Sequence, residues 1–219
     1  MEKKNDYSAA RKQTEKGFRW VAAQFCVLLG LVFAFQVFSG FDPGFNASSS
    51  PWWRFFTSFF GHSGPEHLLN NVFFLALFGS IYERLSSGKT FLVTFLVSAI
   101  FANLTAFIFF PETSIIGASG GAFGILTALA VYEPRRIGLA LGVPMPMWAT
   151  LAVYTLIQFA GLTATGGSTA FEAHIFGMLA GAPIGYMLRS SGKEELEQQE
   201  LEEDSWQERI SKWEEKWML

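Results

Sequence analysis

Cysteine is nearly absent from this chain of 219 residues. Cys26 stands alone inside an apolar run, which excludes an intramolecular disulfide and leaves no thiolate cluster for a metal. Aspartate is almost as scarce. Asp6, Asp42 and Asp204 are the only three, none within an apolar segment, so a Ser-His-Asp triad lacks its carboxylate. No His-Glu-x-x-His occurs, which disfavours a zinc protease, and no metal or other cofactor is expected. There is no internal repeat of fixed period. Long stretches lack charge of either sign. The net charge of −3 averages a basic N-terminal segment with an acidic tail and says little about partners. Nothing points to nucleic acid.

The residues that are abundant point to lipid. Half of the chain is hydrophobic, 16% is aromatic with 24 Phe, and the mean hydropathy is +0.27. The apolar residues come in unbroken blocks of membrane-spanning length, which a soluble domain rarely shows. The expectation is an all-α membrane protein, a bundle of six transmembrane helices. The first span covers Trp20 to Phe38, the second about Glu66 to Arg84, the third about Thr90 to Phe110. The fourth runs from Ser119 to just before Glu133, the fifth from about Met147 to Gly161, the sixth from about Phe171 to Leu188. A cleaved signal peptide is the competing reading of the first block, but no small-x-small site follows it. Residues 137–146 are apolar yet carry Pro144 and Pro146. Those prolines would break a helix, and the piece is expected at the interface.

Lys and Arg give the orientation. Arg84, Lys89, Arg135, Arg136, Arg189 and Lys193 fall in loops on the side of the N-terminus, and Arg54 alone lies opposite. Both termini are then cytoplasmic. Three parts follow: a cytoplasmic segment 1–19, a membrane domain 20–189, and an acidic cytoplasmic tail 190–219. In the tail Trp206, Ile210, Trp213 and Trp217 recur on one helical face.

This topology turns into depth. The second, fourth and sixth spans enter from the outer face, so His67 and Asn71, Ser119, and His174 all lie within the first turns of their helices on that side. Polar groups at such depth usually face a bundle interior or a water-filled cavity. Alone, each has a structural reading as a helix cap or a helix–helix hydrogen bonder. Together they converge at one level. Gly120, Gly124 and Ala128 form a small-residue stripe on the fourth span, and Ala173, Gly177 and Gly181 form another on the sixth. Such stripes let backbones approach closely, bringing the Ser119 hydroxyl within reach of the His174 imidazole. A serine at a helix start also has unspent backbone donors and a favourable dipole for an oxyanion.

Gly117-Ala118-Ser119-Gly120, the pair His67 and Asn71, Ala173-His174 with Gly177 and Gly181, and the loop dipeptide Trp53-Arg54 resemble the motifs of the rhomboid intramembrane serine proteases, bacterial six-span type. The similarity covers about 51–188. The resemblance implies Ser119 as nucleophile and His174 as base, a dyad without a carboxylate. It implies an oxyanion site from the Ser119 N–H, His67 and Asn71. It further implies that Phe123 packs against the catalytic histidine and that Glu83 is structural. Trp53-Arg54 would belong to a half-submerged structural loop after the first helix. Substrates would be single-span membrane proteins, cut near the outer face of a cell membrane, with lipid as the other partner; oligomeric state stays open. The polar loop Gly161 to Ala170 has the composition of a mobile lid. Two rivals remain: a catalytically silent relative that binds membrane clients, and a small transporter. The transporter needs polar residues through the inner half of the bundle, where Phe73, Phe74, Leu75, Ile125, Leu126, Leu179 and Ile184 stand instead. His62 reads as a structural loop histidine.

Overall fold

The computed structural model describes residues 19–164 and 169–217. Helix α1 is Val21–Ser39 and a short α2 is Arg54–Thr57, followed by a 3-10 turn Ser58–Phe60. The next helix starts at Pro65, a residue suited to the first helical position. It runs as α3 (Pro65–Phe74), a π-helical turn (Leu75–Gly79) and α4 (Ser80–Leu85). Helices α5 (Gly88–Phe109) and α6 (Ser119–Tyr132) come next, then strands β1 (Ile137–Ala140) and β2 (Val143–Pro146), α7 (Met147–Ala164) and α8 (Thr169–Trp217). By length and composition α1 and α5 are the helices fit to cross a bilayer among the described residues, with shorter apolar helices at Ser119–Tyr132 and Met147–Gly161.

The centre of the bundle is α6. Every residue from Gly120 to Ala130 is buried, so this helix of about 21 Å is enclosed by protein rather than facing outward. Small residues let its neighbours close on it. A Cβ at Gly177, Gly181 or Gly185 of α8 would fall on the carbonyl of Gly120, Gly124 or Ala128 respectively. The first two contacts are those of the stripes; Gly185 extends the seam by a turn. On the other flank the Phe95 ring fills the space over Gly121, and the Ser98 side chain that over Gly124. The outside is apolar, with Phe107, Ile108, Phe109, Leu156 and Leu179 all exposed. Leu179 therefore faces outward and does not close the cavity floor as its sequence position suggested.

Glu83 ties the first helix to the second. Its buried carboxylate accepts the N–H groups of Val21 and Ala22, each at 2.9 Å, and that of Arg19 at 3.3 Å. These donors belong to the start of α1, where no intrahelical acceptor exists. Replacing Glu83 by alanine strands them. The expected result is a lower melting temperature in micelles, a loss of about 1–3 kcal/mol, with Glu83→Gln falling between.

The long loop after α1 is fastened rather than loose. Gln36 exchanges hydrogen bonds with the His62 backbone, at 3.1 Å to the carbonyl and 3.0 Å from the N–H. Phe45 and Ile115 pair as an isolated antiparallel bridge, and the Gly117 N–H donates to the Ser58 carbonyl at 2.9 Å. Asn103 of α5 donates to Phe55 O and Ser58 Oγ. The Arg54 guanidinium lies over the Phe41 and Trp53 rings, which stack at 6.1 Å. Trp53-Arg54 thus braces the loop, and the loop in turn holds the segment leading into Ser119.

Several boundaries differ from the sequence reading. Residues 137–146 form a β-hairpin, with Ile137 opposite Pro146 and Ala140 opposite Val143. Leu141 and Gly142 at its tip both have positive φ, the backbone of a tight two-residue hairpin turn. The prolines forbid a helix, but they tolerate a strand with a free edge. Helix α7 extends past Gly161 to Ala164, and α8 continues without a break through the acidic tail to Trp217. Trp206, Ile210 and Trp213 are exposed on it. The centre of the lid loop, residues 165–168, lies outside the described residues, as does the side chain of Trp217.

Candidate active site

Gly117 turns the chain into α6 with φ 126°, a left-handed value that favours glycine. A Cβ there would also stand 2.7 Å from the His67 ring. Two residues later Ser119 opens the helix. The first helical donor with an internal partner is Ala122, to the Ala118 carbonyl, so the Ser119 N–H belongs to the unspent first turn. The Ser119 Oγ lies 2.7 Å from His174 Nε2. Phe123, one turn on, packs against the imidazole with centroids 4.6 Å apart and planes inclined by 33°. Gly120 with Gly177, and Gly124 with Gly181, hold α6 and α8 close enough for that contact.

His67 and Asn71 share a cavity of about 690 Å³ with Ser119 and His174. Asn71 is buried, and its Nδ2 donates to the His67 carbonyl at 2.9 Å. That uses one of two amide hydrogens. The ring of His67 is oriented by Ser63, whose Oγ lies 3.0 Å and whose backbone N 3.5 Å from Nδ1. A backbone N–H can only donate. The Ser63 N–H thus points at Nδ1, and Nε2 lies on the edge that packs toward Gly117.

Phe74, Phe123 and Tyr154 close the cavity below, with Phe74 and Tyr154 centroids 5.1 Å apart and Phe74 and Phe123 5.2 Å apart. Leu141, at the hairpin tip, lines it as well. The hairpin therefore reaches up beside α7. Glu83, Trp53 and Arg54 are not part of the cavity lining. Burial pushes the His62 ring down to about 4, with the His67 charge adding to the effect and a Phe60 backbone contact opposing it. His62 packs edge-on against His67. Among the described residues no three His, Cys, Asp or Glu side chains are grouped to hold a metal ion.

Ser63, Tyr154 and Gln158 belong to the site but to none of the sequence motifs. Gln158 Oε1 lies 2.8 Å from His174 Nδ1, and the residue is buried. A glutamine in the otherwise apolar turn Leu156 to Ala160 is the kind of intramembrane polar group that marks a site. Ser63 carried no such signal, being one hydroxyl in a polar loop.

The Rhomboid domain family matches residues 49–191. Rhomboid-related protein 2 of Mus musculus is 28% identical over 146 residues, 63% of this chain and 48% of that protein. Rhomboid-like protease 3 of Toxoplasma gondii is 28% identical over 158 residues, 72% of this chain and 56% of that protein. Inactive rhomboid protein 2 of Homo sapiens is 30% identical over 135 residues, 61% of this chain and 15% of that protein. The chain thus spans about half, or less, of the length of these relatives.

Proposed function

We propose that this chain, which belongs to the rhomboid family, is an intramembrane serine endopeptidase that cleaves transmembrane segments of single-span membrane proteins. The observation that carries this reading is the 2.7 Å contact between Ser119 Oγ and His174 Nε2 inside a cavity lined by polar groups. A nucleophile and base within hydrogen-bond reach are the minimum for acyl transfer.

The steps follow from the positions. His174 Nε2 takes the Ser119 proton as Oγ attacks the scissile carbonyl carbon. The carbonyl oxygen becomes an oxyanion, facing the Ser119 N–H, His67 Nε2–H and the second Asn71 hydrogen. Collapse of the tetrahedral intermediate breaks the C–N bond, and the leaving amine takes the proton from the imidazolium. Water then enters the cavity, gives a proton to His174 and attacks the acyl carbon; collapse breaks the ester C–Oγ bond, and the imidazolium returns that proton to Ser119 Oγ. A helical substrate hides its carbonyls in its own hydrogen bonds. Segments that unwind easily near the outer membrane edge, with Gly, Pro or polar residues, should be preferred.

Asn71→Ala removes one oxyanion donor. The expected loss is on the order of 10²- to 10³-fold in kcat, with the melting temperature little changed, read by cleavage of a single-span substrate in proteoliposomes.

A second reading has its own support, because the relatives include proteins named as inactive rhomboids. On that reading the chain binds membrane clients without cutting them. A fluorophosphonate probe separates the two. Labelling that requires both Ser119 and His174 supports the enzyme, and a protein that binds clients but never labels supports the silent relative.

The same proposal includes six crossings, with both termini cytoplasmic as the Lys and Arg bias implies. It keeps the division into 1–19, 20–189 and 190–219, the last two now joined by one helix. The plasma membrane, of the bacterial inner type, fits the compact six-helix plan. Scanning cysteine labelling of positions 87 and 113 from each side tests the orientation.

A further inference from the structure

We infer that Gln158 is a positioning residue for His174, selecting the imidazole tautomer that lets Nε2 act as the base. The inference rests on the endopeptidase reading above and deepens it. An imidazole that accepts a proton from Ser119 must present a bare Nε2, and its single proton must then be on Nδ1. In many serine hydrolases a carboxylate next to Nδ1 enforces that state. No aspartate is available in this bundle. What stands 2.8 Å from Nδ1 is the side-chain oxygen of Gln158. A carbonyl oxygen can only accept, so Nδ1 must donate, and Nε2 is left as a lone pair directed at the Ser119 hydroxyl 2.7 Å away.

The arrangement has further consequences. Ser119, His174 and Gln158 form a chain of contacts across α6, α8 and α7, so three helices must be in place for the base to be set. Gln158 is buried, which makes its hydrogen bond to the ring strong and a misplaced partner costly. Phe123 fixes the plane of the ring from one face, but stacking does not distinguish the two nitrogens. The amide does. A neutral partner also stabilises the imidazolium of the transition state less than a carboxylate would, and it avoids burying a charge against the ring. If the amide were turned about, its NH2 would donate to Nδ1 and force the proton onto Nε2. The base would then be blocked.

The test uses the full chain in micelles and proteoliposomes. Gln158→Leu keeps the volume and removes the acceptor; Gln158→Glu keeps an acceptor that cannot donate when ionised. Gln158→Leu is expected to lower kcat about 10- to 100-fold with KM little changed, and to slow fluorophosphonate labelling in parallel. Gln158→Glu is expected to retain labelling and cleavage at well above the Gln158→Leu level. The chain has three histidines, so ¹⁵N-histidine spectra are sparse, and the His174 signals are assigned by their loss in His174→Ala. The expected wild-type pattern is a protonated Nδ1 and a bare Nε2, shifting to a mixture in Gln158→Leu. Wild-type rates in Gln158→Leu, equal losses in the two variants, or an unchanged tautomer in Gln158→Leu would each overturn the inference. A wild-type protein that neither cleaves nor labels would instead sink the endopeptidase reading, while the tautomer spectra would still report on Gln158.

Discussion

Replacing Ser119 by alanine should abolish cleavage. The hydroxyl is the sole group on α6 that faces His174 Nε2 at bonding distance. Without it the cavity still holds donors, but nothing on the protein forms the acyl bond. Removing the nucleophile of a serine hydrolase typically lowers kcat on the order of 10⁶-fold, which in proteoliposomes means no product above background. The fold should survive. The lost hydrogen bond is worth about 1 kcal/mol net, and the bundle is held by the α6–α8 seam and the aromatic core, not by this contact. The measurement pairs substrate cleavage with a thermal melt. A Ser119→Ala protein that melts normally and still cuts would remove Ser119 from the chemistry.

The second large effect comes from a residue that touches no reacting atom. Gly177→Val should cost both activity and stability. A Cβ at Gly177 falls on the Gly120 carbonyl and stands 3.2 Å from the Gly120 Cα. Both are backbone, so no flexible side chain can yield, and α8 must move away from α6. A displacement of about 1 Å at a reacting pair costs on the order of 10²-fold in rate. Overpacking a close seam costs about 1–3 kcal/mol. Gly192→Ala is the control. It lies on the same helix with nothing within 4 Å of a Cβ, and it should be neutral or slightly stabilising. The comparison is made by melting temperature and fluorophosphonate labelling rate. Equal behaviour of the two variants would mean that the seam does not set the site.

The two predictions differ in how much of their basis can be read from sequence. Gly120, Gly124, Gly177 and Gly181 announce a seam by their spacing alone, since residues four apart share a helical face. Ser119 and His174 stand beside the ends of those stripes, so their meeting follows from local periodicity and a correct topology. The start of α6 at Ser119 follows from Gly117 and the polar loop before it. The hairpin does not follow. Pro144 and Pro146 exclude a helix without saying what replaces it, and the strands form because β1 and β2 pair and lie against the start of α7. The unbroken α8 was equally hidden. Leu188 ends the apolar run, but a helix does not stop where hydropathy changes unless a breaker is present, and Gly192 was not enough.

The sequence by itself therefore determined the helical bundle, its close-packed seam and the hydroxyl–imidazole pair, because each rests on residue type and short-range repeat. The tertiary structure alone decided which groups face the ring nitrogens of His174 and His67. Gln158 and His174 are sixteen residues apart, on different helices. Their contact depends on how α7 leans on α8, and no periodicity within either helix encodes that angle. For His67 the facing group is Ser63, through its hydroxyl at 3.0 Å and its backbone N–H at 3.5 Å. Its role comes only from where the turn before α3 places it.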